Sequence, residues 1–327
     1  MTNILITGAN GFVGSNLVRR FINSGYRVNC LVHKNIDTIK KLTNGSVVIY
    51  KGTVTDPDSL IEPVKNVDYV FHTAAVLRAI DTETYYKINQ YGTKNLIETV
   101  YKINPGIKRF IYISSQAAIG PCNTELHKKM DSSPIPVSDY GRSKLMGELE
   151  LMKFRDKLPI TILRPSAIYG PGDKDLFPFF KLSSNGIFPV LGADECKLQL
   201  LFVGDLVEIC YLITQKANLN HTIYFISDER QYTWSDIYNI ISSVLNRKVW
   251  RLYFPYWLIY FIAYISEKIS GLRSQPAVLN RQKVNELYQK YWLGDSTETK
   301  EDFDYKFTDL ETGFRITYNW YKENKWL

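Results

Sequence analysis

Cysteine is scarce in this chain, and the few thiols lie far apart. Cys30, Cys122, Cys196 and Cys210 are scattered over 327 residues without the spacing of a metal site. Isolated thiols in a chain of this length are typical of a reducing compartment and argue against a disulfide framework. We therefore expect a cytoplasmic protein with no metal centre.

Long basic runs and long apolar runs are also missing. The net charge of +7 and the isoelectric point of about 9.0 suit an anionic cofactor or substrate, or loose contact with an acidic surface. Because no Lys/Arg run or binding motif accompanies this charge, we expect no nucleic-acid binding. The chain enters a predicted strand within its first three residues, so we expect no signal peptide.

The most apolar stretch, residues 252–265, is too short for a transmembrane helix, which needs roughly 18 or more apolar residues. One interpretation is a helix whose apolar side closes a pocket. The other is a patch that contacts a membrane peripherally or accepts a lipid-like substrate. An aromatic content of 14% is compatible with an aromatic-lined pocket or with a simple composition bias.

A short apolar run, Asn3 to Thr7, leads into glycines at 8, 11 and 14 and then into the helical pattern Ser15 to Ser24. Strand, glycine turn and helix are the context of a phosphate-binding loop. The glycines let the backbone approach a pyrophosphate, and the helix N-terminus supplies N–H groups and a positive dipole. This stretch therefore predicts a dinucleotide site.

The end of the second predicted strand, Tyr26 to Val32, bears on the choice of cofactor. An acidic residue there would bind the ribose 2′-hydroxyl of NAD, whereas a basic residue would accept the 2′-phosphate of NADP. His33 and Lys34 follow the strand, and the first acid comes at Asp37. The sequence favours NADP, with NAD as the alternative.

Three residues in the middle of the chain carry the predicted chemistry. Tyr140 and Lys144 lie four apart, on one face of a helix. A nearby ammonium favours the phenolate and lowers the pKa of Tyr140 from its usual value of about 10, which suits proton transfer near neutral pH. Ser115 follows the apolar strand 109–113 and is placed to hold a carbonyl oxygen. Together they predict a catalytic triad.

With these motifs in order, the chain resembles an extended short-chain dehydrogenase/reductase of the NAD(P)-dependent epimerase/dehydratase superfamily. The resemblance implies an α/β fold: a doubly wound parallel Rossmann sheet with a smaller C-terminal substrate-binding lobe. It implies a nucleotide domain of residues 1–165 and about 200–227, and a lobe of residues 166–199 and 228–327. The cofactor residues that it implies are Gly8, Gly11, Phe12, Val13, Gly14, His33, Lys34, Val54, Ala74, Ala75, Tyr140, Lys144, Pro165, Ser166 and Ile168.

The resemblance also reduces the number of reactions that the chain is expected to catalyse. Gln116 and Ala117 stand where sugar dehydratases carry an Asp-Glu pair, so dehydration is largely excluded. Ser166 replaces an Asn-type residue of nucleotide-sugar epimerases, and residues 198–200 offer no Arg for a diphosphate, although Lys197 is near. We expect an NADP(H)-dependent reductase or dehydrogenase of a hydrophobic small molecule, similar to the 3β-hydroxysteroid dehydrogenase and dihydroflavonol reductase branch, with Gln116, Ala117 and Tyr169 at the substrate.

Two alternatives remain open. One is a nucleotide-sugar epimerase that keeps NAD bound, and the other is a cofactor-sensing protein that has the fold without catalysis. His72 is expected to be structural. The resemblance further implies a homodimer formed through the helices 85–103 and 140–155.

Overall fold

The computed structural model of the chain describes residues 1–43, 45–192, 195–273 and 275–327. They divide into two compact units. The first comprises Met1–Ala118, Asp139–Arg164 and Val207–Tyr224, and the second comprises Ile119–Ser138, Pro165–Leu206 and Phe225–Leu327. The domain boundaries expected from the resemblance stay a prediction.

Strands and helices alternate through most of the chain. The strands are β1 (Asn3–Thr7), β2 (Arg27–Val32), β3 (Val48–Lys51), β4 (Tyr69–His72), β5 (Arg109–Ile113), β6 (Ile160–Pro165), β7 (Ala167–Tyr169), β8 (Ile187–Leu191), β9 (Lys197–Leu198), β10 (Leu200–Phe202), β11 (Ile223–Ile226), β12 (Trp250–Phe254) and β13 (Tyr291–Trp292). The α-helices are α1 (Phe12–Asn23), α2 (Ile36–Thr43), α3 (Ile61–Val64), α4 (Thr82–Tyr85), α5 (Gly92–Ile103), α6 (Gln116–Ile119), α7 (Asp139–Met152), α8 (Phe177–Ser184), α9 (Val203–Gln215), α10 (Trp234–Leu245), α11 (Tyr256–Leu272), α12 (Arg281–Leu287), α13 (Thr297–Phe303) and α14 (Leu310–Glu323). A 3₁₀-helix, Pro57–Leu60, precedes α3, and a π-helix, Tyr86–Tyr91, joins α4 to α5.

The main sheet has seven strands in the order β11-β6-β5-β4-β1-β2-β3. β1 runs parallel to β2 and β4, β2 to β3, β4 to β5, and β5 to β6. The chain order reverses between β1 and β4, and in open α/β sheets a ligand binds at the carboxyl ends of the strands at this switch point. The predicted Rossmann fold is confirmed.

Continuous apolar runs form the central strands. Every residue of β4, β5 and β6 is buried, which is the pattern of parallel strands covered on both faces. Side chains from these strands and from α5, including Val70, Phe110, Ile162 and Leu96, form the core of the first unit. The predicted strand at 109–113 is therefore central, and its carboxyl end is held firmly.

The second unit contains three small parallel pairs, β7 with β10, β8 with β12, and β9 with β13. Its separate core is rich in aromatic side chains, including Tyr169, Phe180, Trp234 and Phe314. Helix α10 begins at a capping box in which Thr233 and Asp236 bond reciprocally.

The apolar stretch 252–265 is helical in part only. Residues 252–254 belong to β12, and helix α11 begins only after Pro255, whose fixed φ suits a helix start. Helix α12 ends at Leu287, and Tyr291 then pairs with Lys197 in a strand. Of the helices that the structure describes, not one combines the length and the apolar character needed to cross a membrane.

Candidate active site

The glycine turn lies at the switch point of the main sheet. Gly8 follows β1 in a left-handed conformation (φ +65°), and a Cβ at this position would lie 2.8 Å from the backbone of Ala74, just beyond β4. A Cβ on Gly14 would lie 2.2 Å from the carbonyl oxygen of Gly8. Neither position has room for a side chain, so the backbone surface here is bare, as a dinucleotide cradle requires.

The N-terminus of α1 faces this turn without a side-chain cap. Gly11 is the cap residue, and the first turn contains no acidic residue and no capping bond from a described side chain. The first amides of a helix have no partner within the helix and carry partial positive charge. The amides after Gly11, which include those of Phe12 and Val13, therefore fit the pyrophosphate of a dinucleotide.

The end of β2 is tied to the same turn. The Asn10 side-chain amide donates to the Lys34 carbonyl oxygen at 2.6 Å. His33 and Lys34 are both exposed, and Asn35 next to them has a left-handed backbone. Two basic side chains thus stand beside the glycine turn, where an adenosine ribose would lie in this fold.

Three more predicted cofactor residues lie near the sheet edge. Val54 is 4% exposed, and its carbonyl oxygen accepts a hydrogen bond from Asn95 at 3.0 Å. A Cβ on Gly92 would lie 2.5 Å from the Val54 side chain, so Val54 packs tightly on α5. Ala74 and Ala75 follow β4 and are half-buried, and the Ala74 amide donates to the Thr7 hydroxyl at 3.2 Å.

His72 joins three elements from inside the core. Its Nδ1 lies 2.8 Å from the Thr7 hydroxyl, and its Nε2 lies 2.9 Å from the Thr93 hydroxyl. Burial, with the charge of Lys144 as a smaller contribution, lowers the pKa of His72 to about 3. The imidazole is therefore neutral and bridges β1 and α5, the structural role expected from the sequence.

Lys144 is almost completely buried at the carboxyl end of β5. Its side chain is 1% exposed, its Nζ donates to the Ile113 carbonyl oxygen at 2.6 Å, and the ammonium lies 4.0 Å from the ring centroid of Tyr112. Burial lowers the pKa of Lys144 to about 7, although the carboxylate of Glu148 acts in the opposite direction. Both protonation states of this lysine are accessible near neutral pH.

The other two predicted catalytic residues, Ser115 and Tyr140, lie close in sequence to the two ends of the hydrogen bond between Lys144 and Ile113. Ser115 follows Ile113 by two residues, and Tyr140 precedes Lys144 by one helical turn; both side chains are half-buried. The Ser115 oxygen accepts the Ala117 amide at 3.1 Å, and a hydroxyl oxygen that accepts still keeps its proton for donation. The structure thus brings together the strand end with Ser115 and the helix with Tyr140 and Lys144. Of the two predicted substrate residues here, Gln116 is buried and Ala117 half-buried.

A buried ion pair near Lys144, between Glu148 and Arg164, was not predicted from the sequence. Glu148 lies one turn after Lys144 and accepts two hydrogen bonds from Arg164, at 3.1 and 2.7 Å. The Ser114 hydroxyl donates to the same carboxylate at 2.5 Å. Both charged side chains are at most 5% exposed. The sequence features that could have indicated this pair are a glutamate four residues beyond Lys144 and an arginine directly after the apolar run 160–163.

Asn89 is a second residue whose role emerges only in three dimensions. It accepts from the Val76 amide at 2.9 Å and donates to the Val76 carbonyl oxygen and to the Ser143 hydroxyl. It belongs to the π-helix Tyr86–Tyr91, and π-helical turns often occur at functional sites. Asn89 therefore fixes the segment after β4 to the helix that carries Tyr140.

The remaining predicted residues lie in the second unit. Pro165 and Ser166 are buried, and the Ser166 amide donates to the Ile226 carbonyl oxygen at 2.9 Å. Ile168 is half-buried. Tyr169 is only 2% exposed and packs on Phe314 within the aromatic core, so its burial does not support the predicted contact with substrate.

Within the described part of the chain, no group of three or more His, Cys, Asp or Glu side chains is arranged to hold a metal ion.

Comparison with known proteins gives one family. The NAD-dependent epimerase/dehydratase family matches residues 4–227. A UDP-glucose 4-epimerase from Thermotoga maritima, solved with UDP-glucose, superposes with a TM-score of 0.80 at 22% identity, over 99% of this chain and all of that one. At this identity the superposition concerns the fold alone.

Three curated relatives differ in their substrates. A ceramide reductase from Caulobacter vibrioides is 28% identical, over 99% of this chain and 96% of its own. A UDP-glucose 4-epimerase from Vibrio cholerae is 28% identical, over 78% of this chain and 79% of its own. A decarboxylating sterol-4-alpha-carboxylate 3-dehydrogenase from Candida albicans is 25% identical, over 99% of both chains.

Proposed function

Because the chain belongs to the NAD-dependent epimerase/dehydratase family and is an NAD(P)-dependent enzyme of the extended short-chain dehydrogenase/reductase type, we propose that it interconverts a ketone and a hydroxyl group on a hydrophobic small molecule. The observation that carries this proposal is the buried Lys144 at the end of β5, one turn from Tyr140 and near Ser115. A Lys with a pKa of about 7 in this place suits an acid/base site at neutral pH.

Each of the three side chains has one role in the reductive direction. Ser115 donates a hydrogen bond to the carbonyl oxygen and so positions it, while keeping its own proton. Tyr140 gives its phenolic proton to that oxygen as negative charge develops there. Lys144 stabilises the phenolate that remains and is itself oriented by the carbonyl group of Ile113. In the oxidative direction the phenolate accepts the proton from the alcohol.

We propose NADP(H) as the cofactor. The bound nicotinamide would supply or accept the hydride. The glycine turn and the first amides of α1 would hold the pyrophosphate, and His33 and Lys34 would face the 2′-phosphate. The proposal is supported by the absence of an acidic residue between Val32 and Asp37.

The substrate class rests on the relatives that span the chain. The ceramide reductase and the sterol-4-alpha-carboxylate 3-dehydrogenase match 99% of this chain, whereas the Vibrio cholerae UDP-glucose 4-epimerase matches 78%. By their names, the first two act on lipids. A hydrophobic ketone or alcohol is therefore the substrate class that we propose.

The second candidate is a nucleotide-sugar epimerase that retains NAD, and the 28% identity to the Vibrio cholerae enzyme favours it. Lys197 would have to take the place of a diphosphate-binding arginine. Its ammonium already forms an ion pair with Glu125 at 2.5 Å, so its charge is partly matched within the protein. This contact weakens the epimerase alternative.

Identification of the nucleotide in the purified protein separates the two candidates. A reductase exchanges its cofactor in every turnover and should be isolated empty or with weakly bound NADP, and should bind NADPH more tightly than NADH. An epimerase regenerates its cofactor and would release stoichiometric NAD on denaturation. That result would overturn the proposal, and nucleotide sugars would be tested next.

Tyr140→Phe tests the chemistry itself. We expect the turnover of a hydrophobic ketone to fall by about 10²- to 10⁴-fold while NADPH binding is retained. A wild-type protein that is inert toward every carbonyl compound, yet binds another protein only when NADP is present, would support the cofactor-sensing alternative instead.

We also propose a cytoplasmic homodimer formed through α5 and α7. Exposed apolar side chains on and beside these helices, Tyr91, Tyr101 and Leu149, support an interface there. Light scattering at micromolar concentration tests this assembly, and a monomer would contradict it.

A further inference from the structure

Helix α11 has apolar residues on two opposite sides. On one side, Ile259 and Ala263 are buried in the core of the second unit. On the other side, spaced by three or four residues so that they form one stripe, stand Trp257, Phe261, Ile265, Ile269 and Leu272. Each of these five is at least 42% exposed, and Trp257 and Leu272 reach 68% and 89%. A water-facing helix normally places polar residues there.

The strand before α11 also carries exposed apolar residues. Trp250, Leu252 and Tyr253 on β12 are exposed, Trp250 by 84%. Along α11 itself, an open groove of about 510 Å³ is lined entirely by aromatic side chains, namely Tyr256, Trp257, Tyr260, Phe261 and Tyr264. We call the α11 stripe and this groove the aromatic face. Exposed patches of this kind mark interaction sites.

The charges around the aromatic face are almost all positive. Between residues 247 and 273 the chain carries five basic residues, Arg247, Lys248, Arg251, Lys268 and Arg273, and one acid, Glu267. Glu267 is paired with Arg281 at 2.7 Å, so its charge is matched. The Lys268 ammonium lies 5.5 Å from the ring centroid of Tyr264. Cationic side chains therefore border the aromatic residues directly.

We propose that the aromatic face binds the surface of an anionic lipid bilayer, with α11 lying in the plane of the interface. Trp and Tyr favour the headgroup level of a bilayer, and Lys and Arg beside them are attracted to anionic headgroups. With 17 residues, α11 is about 25 Å long, which suits an amphipathic helix on the surface.

A bilayer fits this face better than a protein partner does. A protein interface would bury the Trp, Tyr and Phe side chains equally well, but it is typically depleted of lysine. Here the unmatched charges have one sign and border the apolar stripe, as on helices that lie on membranes. The inference stands apart from the proposed activity, although a bilayer would also be the place to meet a hydrophobic substrate.

Vesicle co-sedimentation of the full chain tests the inference. The probes are vesicles of phosphatidylcholine alone and of phosphatidylcholine with phosphatidylserine. We expect the wild-type protein to bind the anionic vesicles, and Trp257→Ser/Phe261→Ser to reduce that binding by roughly tenfold or more, because two large apolar side chains no longer insert. Both residues are exposed, so circular dichroism should show an unchanged fold.

Matched variants separate the two contributions. Lys268→Glu/Arg273→Glu should remove the preference for phosphatidylserine. Lys306→Glu/Lys325→Glu makes the same charge change outside residues 247–273 and should preserve that preference. Leu126→Ser/Ile316→Ser exchanges two exposed apolar residues elsewhere and should bind like the wild type.

Three outcomes would overturn the inference. The wild-type protein could remain in the supernatant with both kinds of vesicle. It could bind vesicles equally well after Trp257→Ser/Phe261→Ser, which would assign binding to another surface. It could form a dimer in gel filtration that this double variant dissociates, without lipid binding, which would make the aromatic face a contact between copies of the chain.

Discussion

The ammonium nitrogen of Lys144 lies 2.6 Å from the carbonyl oxygen of Ile113, and this bond joins the middle of α7 to the end of β5. An ammonium group that is 1% exposed has lost nearly all of its hydration, so the carbonyl group and the face of the Tyr112 ring take the place of water. The bond orients Lys144 toward the strand end that carries Ser115.

Replacing Lys144 by Met should change how the stability of the cofactor-free protein depends on pH. The pKa of Lys144 falls from its usual 10.5 to about 7 on folding, so the unfolded chain binds the extra proton between these values. The free energy of unfolding of the wild type should therefore rise, relative to Lys144→Met, as pH increases from about 7 toward 10, by on the order of a few kcal/mol. Urea unfolding of both proteins at pH 7 and pH 9 measures this difference. If the unfolding free energies of the two proteins changed equally between pH 7 and pH 9, Lys144 would not be buried as a titrating group.

Glu148→Gln should affect both stability and the titration of Lys144. It removes the carboxylate opposite the buried Arg164, which typically costs about 3–5 kcal/mol. Because the charge of Glu148 raises the pKa of Lys144, its loss should also shift the corresponding limb of the pH–activity profile to lower pH. Thermal unfolding and the pH dependence of turnover give the two readouts.

Two further variants control for this interpretation. Glu148→Gln/Arg164→Met removes both charges and should recover part of the lost stability. Glu62→Gln breaks the exposed pair with Lys65 and should cost no more than about 1 kcal/mol. If Glu148→Gln lowered stability but left the pH profile unchanged, Glu148 would be structural only.

Lys34→Glu should reverse the preference between the two cofactors. A carboxylate next to the glycine turn would repel the 2′-phosphate of NADPH and could accept the ribose hydroxyl of NADH. We expect the ratio of the NADH and NADPH dissociation constants to change by about tenfold to a hundredfold in favour of NADH. Fluorescence titration with each nucleotide measures it, and Lys306→Glu serves as a distant charge control. An unchanged ratio would argue against the assignment of the 2′-phosphate to this loop.

Strands of the main sheet were predictable where they carry their own local signal. The apolar run Asn3–Thr7 and the run 109–113 were assigned to within a residue, since central parallel strands are apolar throughout and are bounded by turns. The strand at 250–254 was missed because it has the same apolar composition as the helix that follows. Only its pairing with β8, far away in the sequence, makes it a strand.

The residues of the candidate site were also predictable only where the signal is local in the sequence. Tyr140 and Lys144 could be related from the sequence because they are neighbours on one helix. The contacts of Glu148 with Arg164 and of Asn89 with Val76 join residues 16 and 13 positions apart, on different elements. Whether Tyr169 faces a ligand or a core was also beyond the sequence, since both environments accept an aromatic side chain.

Gly14→Ala should disable the nucleotide site through the backbone of the turn. An added Cβ would lie 2.2 Å from the carbonyl oxygen of Gly8, so either the turn or the start of α1 must shift. We expect the unfolding free energy to fall by about 1–3 kcal/mol, as in overpacked sites, and NADPH binding to weaken well beyond the effect of that loss. Gly106→Ala is the matched control, because a Cβ there meets no described atom within 4 Å. Thermal unfolding and NADPH titration give the two readouts. If Gly14→Ala bound NADPH like the control, the cofactor would not depend on the close approach of helix and strand at this turn.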